Sequence, residues 1–409
     1  MTVTRLHALL HTFFRAGVLL TLFVAPTQWA VELRPKFYLS PADLTLALTA
    51  GVWFLDVLVT REWRRLLAAL PPWPSLLFVA LAAASATVAP FKALALKDLV
   101  QFIEYFLVGH LLFAAYLRTS PRAFRHALMA LGAATAVSLL LAAVQYADSA
   151  ADVLSVRGAF SNRNVLGGYL ALALPLFFGI ALSVRLWWPF RLALALLLVA
   201  GLTVNLSGAA YAAVALALAG LAASRGIKVF VPVAAGLLAW QSFVLPHLPR
   251  ENDLVHFQSV ALYDGTGQVE RRYPDWQAAY SMALTRPWLG VGLGNYQKHV
   301  GQYYDNIPRQ TGPSEPDIQN LYLVLAASAG LPALLAFLAL LLCAAKAACG
   351  TTHARVLEAA TARATAASIA AFALAAVWHP LLVRGIGLPL VFVLALAYHL
   401  RQTEAVDAI

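Results

Sequence analysis

Guanidinium groups and isolated carboxylates stand out in a chain of 409 residues of which only 12% are charged. Arg157 and Arg163 bracket one short polar stretch, Arg271 and Arg272 adjoin in another, and Arg384 follows His379 in a third. A guanidinium is a planar, permanently charged fork suited to phosphate oxygens; without such a ligand it serves as a charge facing water or lipid headgroups. Glu104, Gln101 and Asp56 lie inside apolar runs, where a polar group needs a partner, water or a transported ion. Asp56, near a helix end, reads as a structural pair, and Glu104 as a partner of Lys97 or of a neighbouring helix. Gly290, Gly292 and Gly294 alternate through Pro287–Tyr296 without the strand context of a dinucleotide site. They read as a tight turn that brings backbone N–H groups to a ligand or to a neighbouring helix.

The elements that must hold these groups are membrane helices. With 61% hydrophobic residues, the chain has too few charges to cover a water-soluble surface. Apolar stretches of about 20 residues, each able to cross a hydrocarbon core of about 30 Å, recur at 11–31, 41–60, 70–89, 97–117, 123–147, 163–183, 187–204, 208–224, 228–245, 320–348, 357–379 and 383–400. The expected fold is therefore an all-α polytopic membrane protein of about twelve transmembrane helices: helices one to nine in 1–245, a long loop at 246–319, and helices ten to twelve in 320–409. The first stretch lacks a small-residue cleavage site and reads as a retained helix.

The net charge of +10 reports topology here, through the enrichment of basic residues in cytoplasmic loops, and no nucleic-acid partner is expected. Arg61, Arg64 and Arg65, then Arg118, Arg122 and Arg125, then Arg185 and Arg191, then Arg225 and Lys228, then Lys346, Arg355 and Arg363 fall in alternate loops. That set marks the cytoplasm, places both termini there, and puts the 246–319 loop on the opposite, outer side, expected to be periplasmic. Cys343 and Cys349 sit near the cytoplasmic end of helix ten and read as packing residues.

A connection of that length without an apolar span is uncommon unless it binds or catalyses. Within it, Trp276, Ala279, Tyr280, Ala283 and Leu284 recur at helical spacing. Pro274 precedes them and Pro287 follows. The pattern predicts an amphipathic surface helix with Trp276 and Tyr280 at headgroup level. Gly167, Gly168 and the alanines of helices eight and eleven read as close-packing surfaces between helices.

Arg272-Tyr273-Pro274-Asp275-Trp276, followed by Arg286-Pro287-Trp288-Leu289-Gly290-Val291-Gly292-Leu293-Gly294-Asn295-Tyr296, resembles the loop signature of the bacterial O-antigen ligase and polymerase superfamily. Arg157-Gly158-Ala159-Phe160-Ser161-Asn162-Arg163-Asn164 resembles that family's entry into helix six, and Asn320, Gly330 and Leu331-Pro332 its helix ten. The resemblance implies a glycosyltransferase that moves a glycan from undecaprenyl diphosphate to a sugar hydroxyl, usually on lipid A-core, at the periplasmic face. It implies no nucleotide sugar, metal or other cofactor. Arg271 or Arg272, with Arg157, Arg163 and Arg384, are the expected diphosphate-binding residues, and Arg272, Gln319, Asn320 and His379 the expected catalytic positions.

Where the family has a histidine before its helix-ten asparagine, this chain has Gln319, which cannot act as a base near neutral pH. The start of helix eight reads Leu206-Ser207-Gly208-Ala209-Ala210, without the family's arginine, and Ser328 replaces a frequent glutamate. His379, His299, His247, His256, Asp275, Glu315 and Asp317 are the candidate replacements for the base. A route through positioning and stabilisation of the leaving diphosphate needs none of them. The alternatives are an O-antigen or exopolysaccharide polymerase, a protein O-oligosaccharyltransferase, a transporter or flippase using the polar residues of helices two and four, and a non-catalytic relative.

Overall fold

The structure, a computed structural model, describes residues 3–34, 37–148, 156–183, 188–244, 247, 268–304, 318–350 and 356–407, and at 268–274 it describes the backbone. The expected all-α class holds: helices account for nearly all the regular structure, and the described strands are one short antiparallel hairpin. The helices are α1 (Val3–Val24), α2 (Pro41–Thr60), α3 (Trp63–Ala68), α4 (Trp73–Val88), α5 (Lys92–Ile103), α6 (His110–Leu117), α7 (Ala123–Asp148), α8 (Arg163–Ser183), α9 (Trp188–Val204), α10 (Gly208–Ala223), α11 (Ile227–Ala239), α12 (Gln268–Thr285), α13 (Tyr296–His299), α14 (Leu321–Ala329), α15 (Leu331–Cys349), α16 (Val356–Ala375) and α17 (Gly387–Asp407). A π-helical turn at Glu104–Gly109 joins α5 to α6.

Seven helical segments among the described residues are long and apolar enough to cross a membrane: 3–24, 41–60, 92–117, 123–148, 163–182, 227–244 and 331–349. Four shorter apolar helices stand among them, at 73–88, 188–204, 208–223 and 387–402.

Local chemistry sets several helix ends. Ser40 caps α2 by accepting from Asp43 N at 3.1 Å while Asp43 Oδ2 accepts from Ser40 N at 2.9 Å, and Pro41 fills the first turn. Asn162 Oδ1 accepts from Val165 N at 3.0 Å, at the entry to α8. Asn320 Oδ1 caps α14, accepting from Tyr322 N at 2.9 Å and Leu323 N at 3.1 Å.

Three expected spans are redrawn. The first ends at Val24, because the chain leaves the bundle and forms the hairpin β1 (Val31–Arg34) and β2 (Phe37–Leu39). The eleventh ends at Ala375, leaving His379 and Arg384 in the loop before α17. The tenth is broken in two by Gly330, whose φ of 89° takes the backbone out of the helix.

A break strands the N–H and C=O groups of two helix ends, which lipid cannot satisfy. The glycine turn supplies the missing partners. Val291 N donates to Ala327 O at 2.9 Å, Gly292 N to Ser328 O at 3.1 Å, and Leu331 N to Pro287 O at 2.7 Å. Ser85 Oγ on α4 closes the junction, lying 2.7 Å from Leu289 O and 2.9 Å from Ser328 O. Gly290, Gly292 and Gly294 all have positive φ, at 63°, 105° and 69°. Of the two readings of this turn, the neighbouring helix is the one realised.

The amphipathic helix is present as α12 but presents a different face. Ala278, Ala279, Met282 and Ala283 are buried, while Tyr280 is 57% and Leu284 56% exposed. Small residues let α12 lie close on α14, whose Ala327 joins the same apolar cluster with Val291, Val300, Tyr304 and Ile318. The described part of the long connection is thereby docked on the broken helix. Gly167 packs against Ser207 and Ala210, and Gly168 against Leu381, as close-packing positions should.

Candidate functional site

Loops from six parts of the chain meet at one end of the bundle. Gln28, just after α1, is the hub: its N–H donates to Ala159 O at 2.9 Å, its Oε1 accepts from Ser161 N at 2.5 Å, and its Nε2 donates to Arg384 O at 2.6 Å. Arg384 Nη2 in turn donates to Tyr38 O at 2.6 Å and pairs with Asp43 Oδ2 at 3.2 Å. Asn295, at the end of the glycine turn, accepts from Phe91 N at 2.8 Å and donates to Phe91 O at 3.3 Å, fixing the turn to the start of α5. Leu321 N donates to Ala376 O at 2.9 Å, tying α14 to the loop after α16.

These loops enclose a cavity of about 590 Å³. Its polar wall is made by Gln28, Lys97, Asp98, Gln101, Gln297 and Arg384, and its apolar floor by Phe102, Leu321, Val324 and Leu325. A mostly apolar pocket with a few convergent polar groups is the form expected of a ligand site. Lys97 and Arg384 give it two cations, against the carboxylate of Asp98.

Of the residues singled out from sequence, Arg384 lines this cavity. Arg157 is exposed beside it, its Nη1 3.5 Å from the carbonyl of cavity-lining Ser161, while Gln145 Oε1 accepts from its backbone N–H at 2.9 Å. Arg163 is half-buried in the first turn of α8. Arg271 and Arg272 belong to α12, and their side chains lie outside the described residues. Asn320 acts through its cap of α14.

His379 and Gln319 do meet, beside the cavity that the adjacent Pro380 lines but not themselves in its lining. His379 is 3% exposed, with Nε2 2.9 Å from Ser207 Oγ and Nδ1 3.4 Å from Gln319 Oε1. The amide oxygen can only accept, which puts the proton on Nδ1 and leaves Nε2 to accept from the Ser207 hydroxyl. Both ring nitrogens are thereby engaged in joining α10, α14 and the loop after α16.

The other candidate bases are spent or placed elsewhere. The Tyr304 hydroxyl donates to Asp275 Oδ1. His299 keeps Nε2 without a hydrogen-bond partner, but its ring packs 6.2 Å from that of Phe91 and does not line the cavity. His247 is exposed beyond α11. His256, Glu315 and Asp317 lie outside the described residues.

Asp56 is the structural pair expected, held by His7 Nδ1 at 2.6 Å and Arg65 Nη1 at 3.2 Å at the opposite end of the bundle. Of the two expected partners of Glu104, the neighbouring helix is the one found, not Lys97. Its carboxyl lies beside Asp43, near Arg384, because the π-helical turn begins at Glu104 and packs on α2, and its Oε1 has no hydrogen-bond partner among the described residues. Gln28 and Asp98 were not singled out from sequence; only the fold shows them to be neighbours of Arg384.

Residues 153–338 match the model of a family described as O-antigen ligase. That match supports the O-antigen ligase superfamily, whose members are glycosyltransferase-like enzymes. The matched stretch carries Arg157, Arg163, the arginines of α12, the glycine turn, Asn320 and Gly330, whereas Gln28, Lys97, Asp98 and Arg384 stand outside it. No curated protein matches the chain.

Proposed function

We propose that the chain is a lipid-linked glycan transferase of the ligase type, which moves a glycan from undecaprenyl diphosphate to a sugar hydroxyl of lipid A-core. In this reading the membrane is the bacterial inner membrane, both termini are cytoplasmic, and the cavity opens to the periplasm. The basic loops support that orientation. Arg65 and Arg118 lie at the end opposite the cavity, with Arg118 Nη2 donating to Gln402 Oε1 at 2.5 Å.

The observation that carries the reading is the cavity itself, with Arg384 and Lys97 in one wall and an apolar floor suited to an isoprenoid chain. A diphosphate leaving group needs its developing charge met by fixed cations, and a bidentate guanidinium does this with least reorganisation. Arg384 is pre-positioned by Tyr38 O and Asp43. Arg157, Arg163 and one of Arg271 or Arg272 complete the phosphate-binding set. The acceptor hydroxyl attacks the anomeric carbon from the side opposite the diphosphate, which inverts its configuration. Asn320 and Gly330 contribute by shaping the broken helix that floors the cavity.

The test is the lipopolysaccharide profile of a deletion strain together with its pool of carrier-linked glycan. Loss of the long-chain ladder with polymerised glycan left on the carrier is the expected result. Core bearing a single repeat would instead indicate a polymerase, and an unchanged profile would remove lipid A-core as the acceptor.

A further inference from the structure

The geometry points to Asp98 as the general base that takes the proton of the acceptor hydroxyl, an inference that rests on the transfer reading above. Asp98 lies on α5 and lines the same cavity as Arg384 and Lys97. Its side chain is 33% exposed, and its ion-pair neighbour among the described residues is Lys97, whose Nζ is 3.9 Å from Oδ1. A charge pair at that distance leaves carboxylate lone pairs available to a ligand.

The last glycine of the turn makes room for this carboxylate. A Cβ at Gly294, whose φ is 69°, would come within 2.8 Å of Asp98 Oδ2 and 2.9 Å of Leu94 O. Any side chain there would push into the carboxylate. Because Asn295 ties the turn to Phe91 at the start of α5, the glycine and the aspartate are held on one rigid junction.

Most of the other acids and bases near this end have polar atoms committed, and the two that keep an unpartnered one, Glu104 Oε1 and His299 Nε2, do not line the cavity. Asp43 holds Arg384 and the Ser40 cap, Asp275 accepts from Tyr304, and His379 spans Ser207 and Gln319. Asp98 is the described carboxylate that faces the cavity without such a commitment.

In the step proposed, the acceptor O–H proton passes to an Asp98 oxygen as the hydroxyl oxygen forms its bond to the anomeric carbon. The bond from that carbon to the phosphate oxygen breaks, and undecaprenyl diphosphate departs with the electron pair. No further reactant is needed. Gln319 is then explained: the proton-accepting group has moved from the broken helix to α5, across the cavity.

The experiment measures initial rates with full-length protein in vesicles, using carrier-linked glycan extracted from the deletion strain as donor and lipid A-core as acceptor. For Asp98→Asn we expect kcat to fall by roughly a hundredfold or more, the range of general-base contributions, with KM for the donor little changed. Asp98→Glu, which keeps the carboxylate, should recover part of the rate. An Asp98→Asn protein with wild-type kcat would overturn the assignment. So would loss confined to KM, which would make Asp98 a binding residue. If the asparagine variant does not extract as a monodisperse species, Asp98→Glu decides: turnover supports the base, and a folded but inactive protein overturns it. A wild-type protein that transfers nothing would instead remove the transfer reading, and the base with it.

Discussion

Asp56 and Asp98 both lie within apolar helices, at opposite ends of the bundle, and their surroundings differ in kind. Asp56 is 2% exposed and has one oxygen against His7 at 2.6 Å and the other against Arg65 at 3.2 Å. Asp98 is 33% exposed and has its cation at 3.9 Å. Around Asp56 the polar groups use one another up, as an intramembrane charge must if it is to serve structure alone. Around Asp98 polar groups from several loops line an open volume of about 590 Å³, onto which the aspartate itself faces. The contrast separates charges that hold the fold from charges left for a ligand. His379 illustrates the point: a histidine invites a catalytic reading, yet its ring is closed off by Ser207 and Gln319.

The largest effect expected comes from neither aspartate but from the junction that shapes the cavity. Gly330→Ala forces an alanine into a φ of 89° and drives its Cβ into the Trp288 carbonyl and Leu289 N. The strain alone costs about 3 kcal/mol, and the close contact adds to it. Thermal unfolding in detergent should show a marked fall, and an unchanged midpoint would mean that the glycine turn is not locked to the broken helix.

Next comes Arg384→Ala, which removes a cation from the cavity wall and leaves Asp43 without its partner. Transfer should fall roughly a hundredfold, comparable to deleting one group that stabilises transition-state charge. Arg384→Lys should retain part of the rate, because it keeps the charge but not the fork. Rates from either variant equal to wild type would place the diphosphate elsewhere.

At the other aspartate the prediction has the opposite character. Asp56→Asn should lower stability by about 1–3 kcal/mol, the cost of a disturbed buried hydrogen-bonded group, with the transfer rate per folded molecule unchanged. A specific loss of transfer would collapse the distinction between the two ends. The smallest effect is expected for Ser207→Ala. It should cost about 1 kcal/mol through the lost bond to His379 Nε2 and leave transfer near wild type. A loss of tenfold or more, within the range of acid–base contributions, would bring His379 back as a participant in the reaction.

Much of the scaffold was legible because hydrophobic length is a local property. The helices at 41–60, 123–148, 163–183, 188–204 and 208–223 coincide closely with apolar runs. The break at Gly330 was hidden inside one such run, since a single glycine in an apolar stretch does not show its φ. The face of α12 was misread because spacing grouped Tyr280 and Leu284 with Ala279 and Ala283, whereas close packing on α14 selected the small residues.

Arg384 and the glycine turn were visible as motifs, but the roles of Gln28 and Asp98 arise only where loops distant in sequence meet. Gln28 bonds Ser161 and Arg384 across most of the chain length, and no local pattern marks it. Asp98 sits two turns into α5, where the sequence offers only a Lys-Asp pair within an apolar run.

The central claim is tested most directly by following a labelled glycan on purified carrier in sealed vesicles that hold this protein and lipid A-core acceptor. The account expects the label to move to lipid A-core, with one undecaprenyl diphosphate released per glycan transferred, and expects this to fail with Arg384→Ala. Label that stays on the carrier, or that crosses the bilayer still attached to it, would contradict a transferase and identify a binder or a flippase instead.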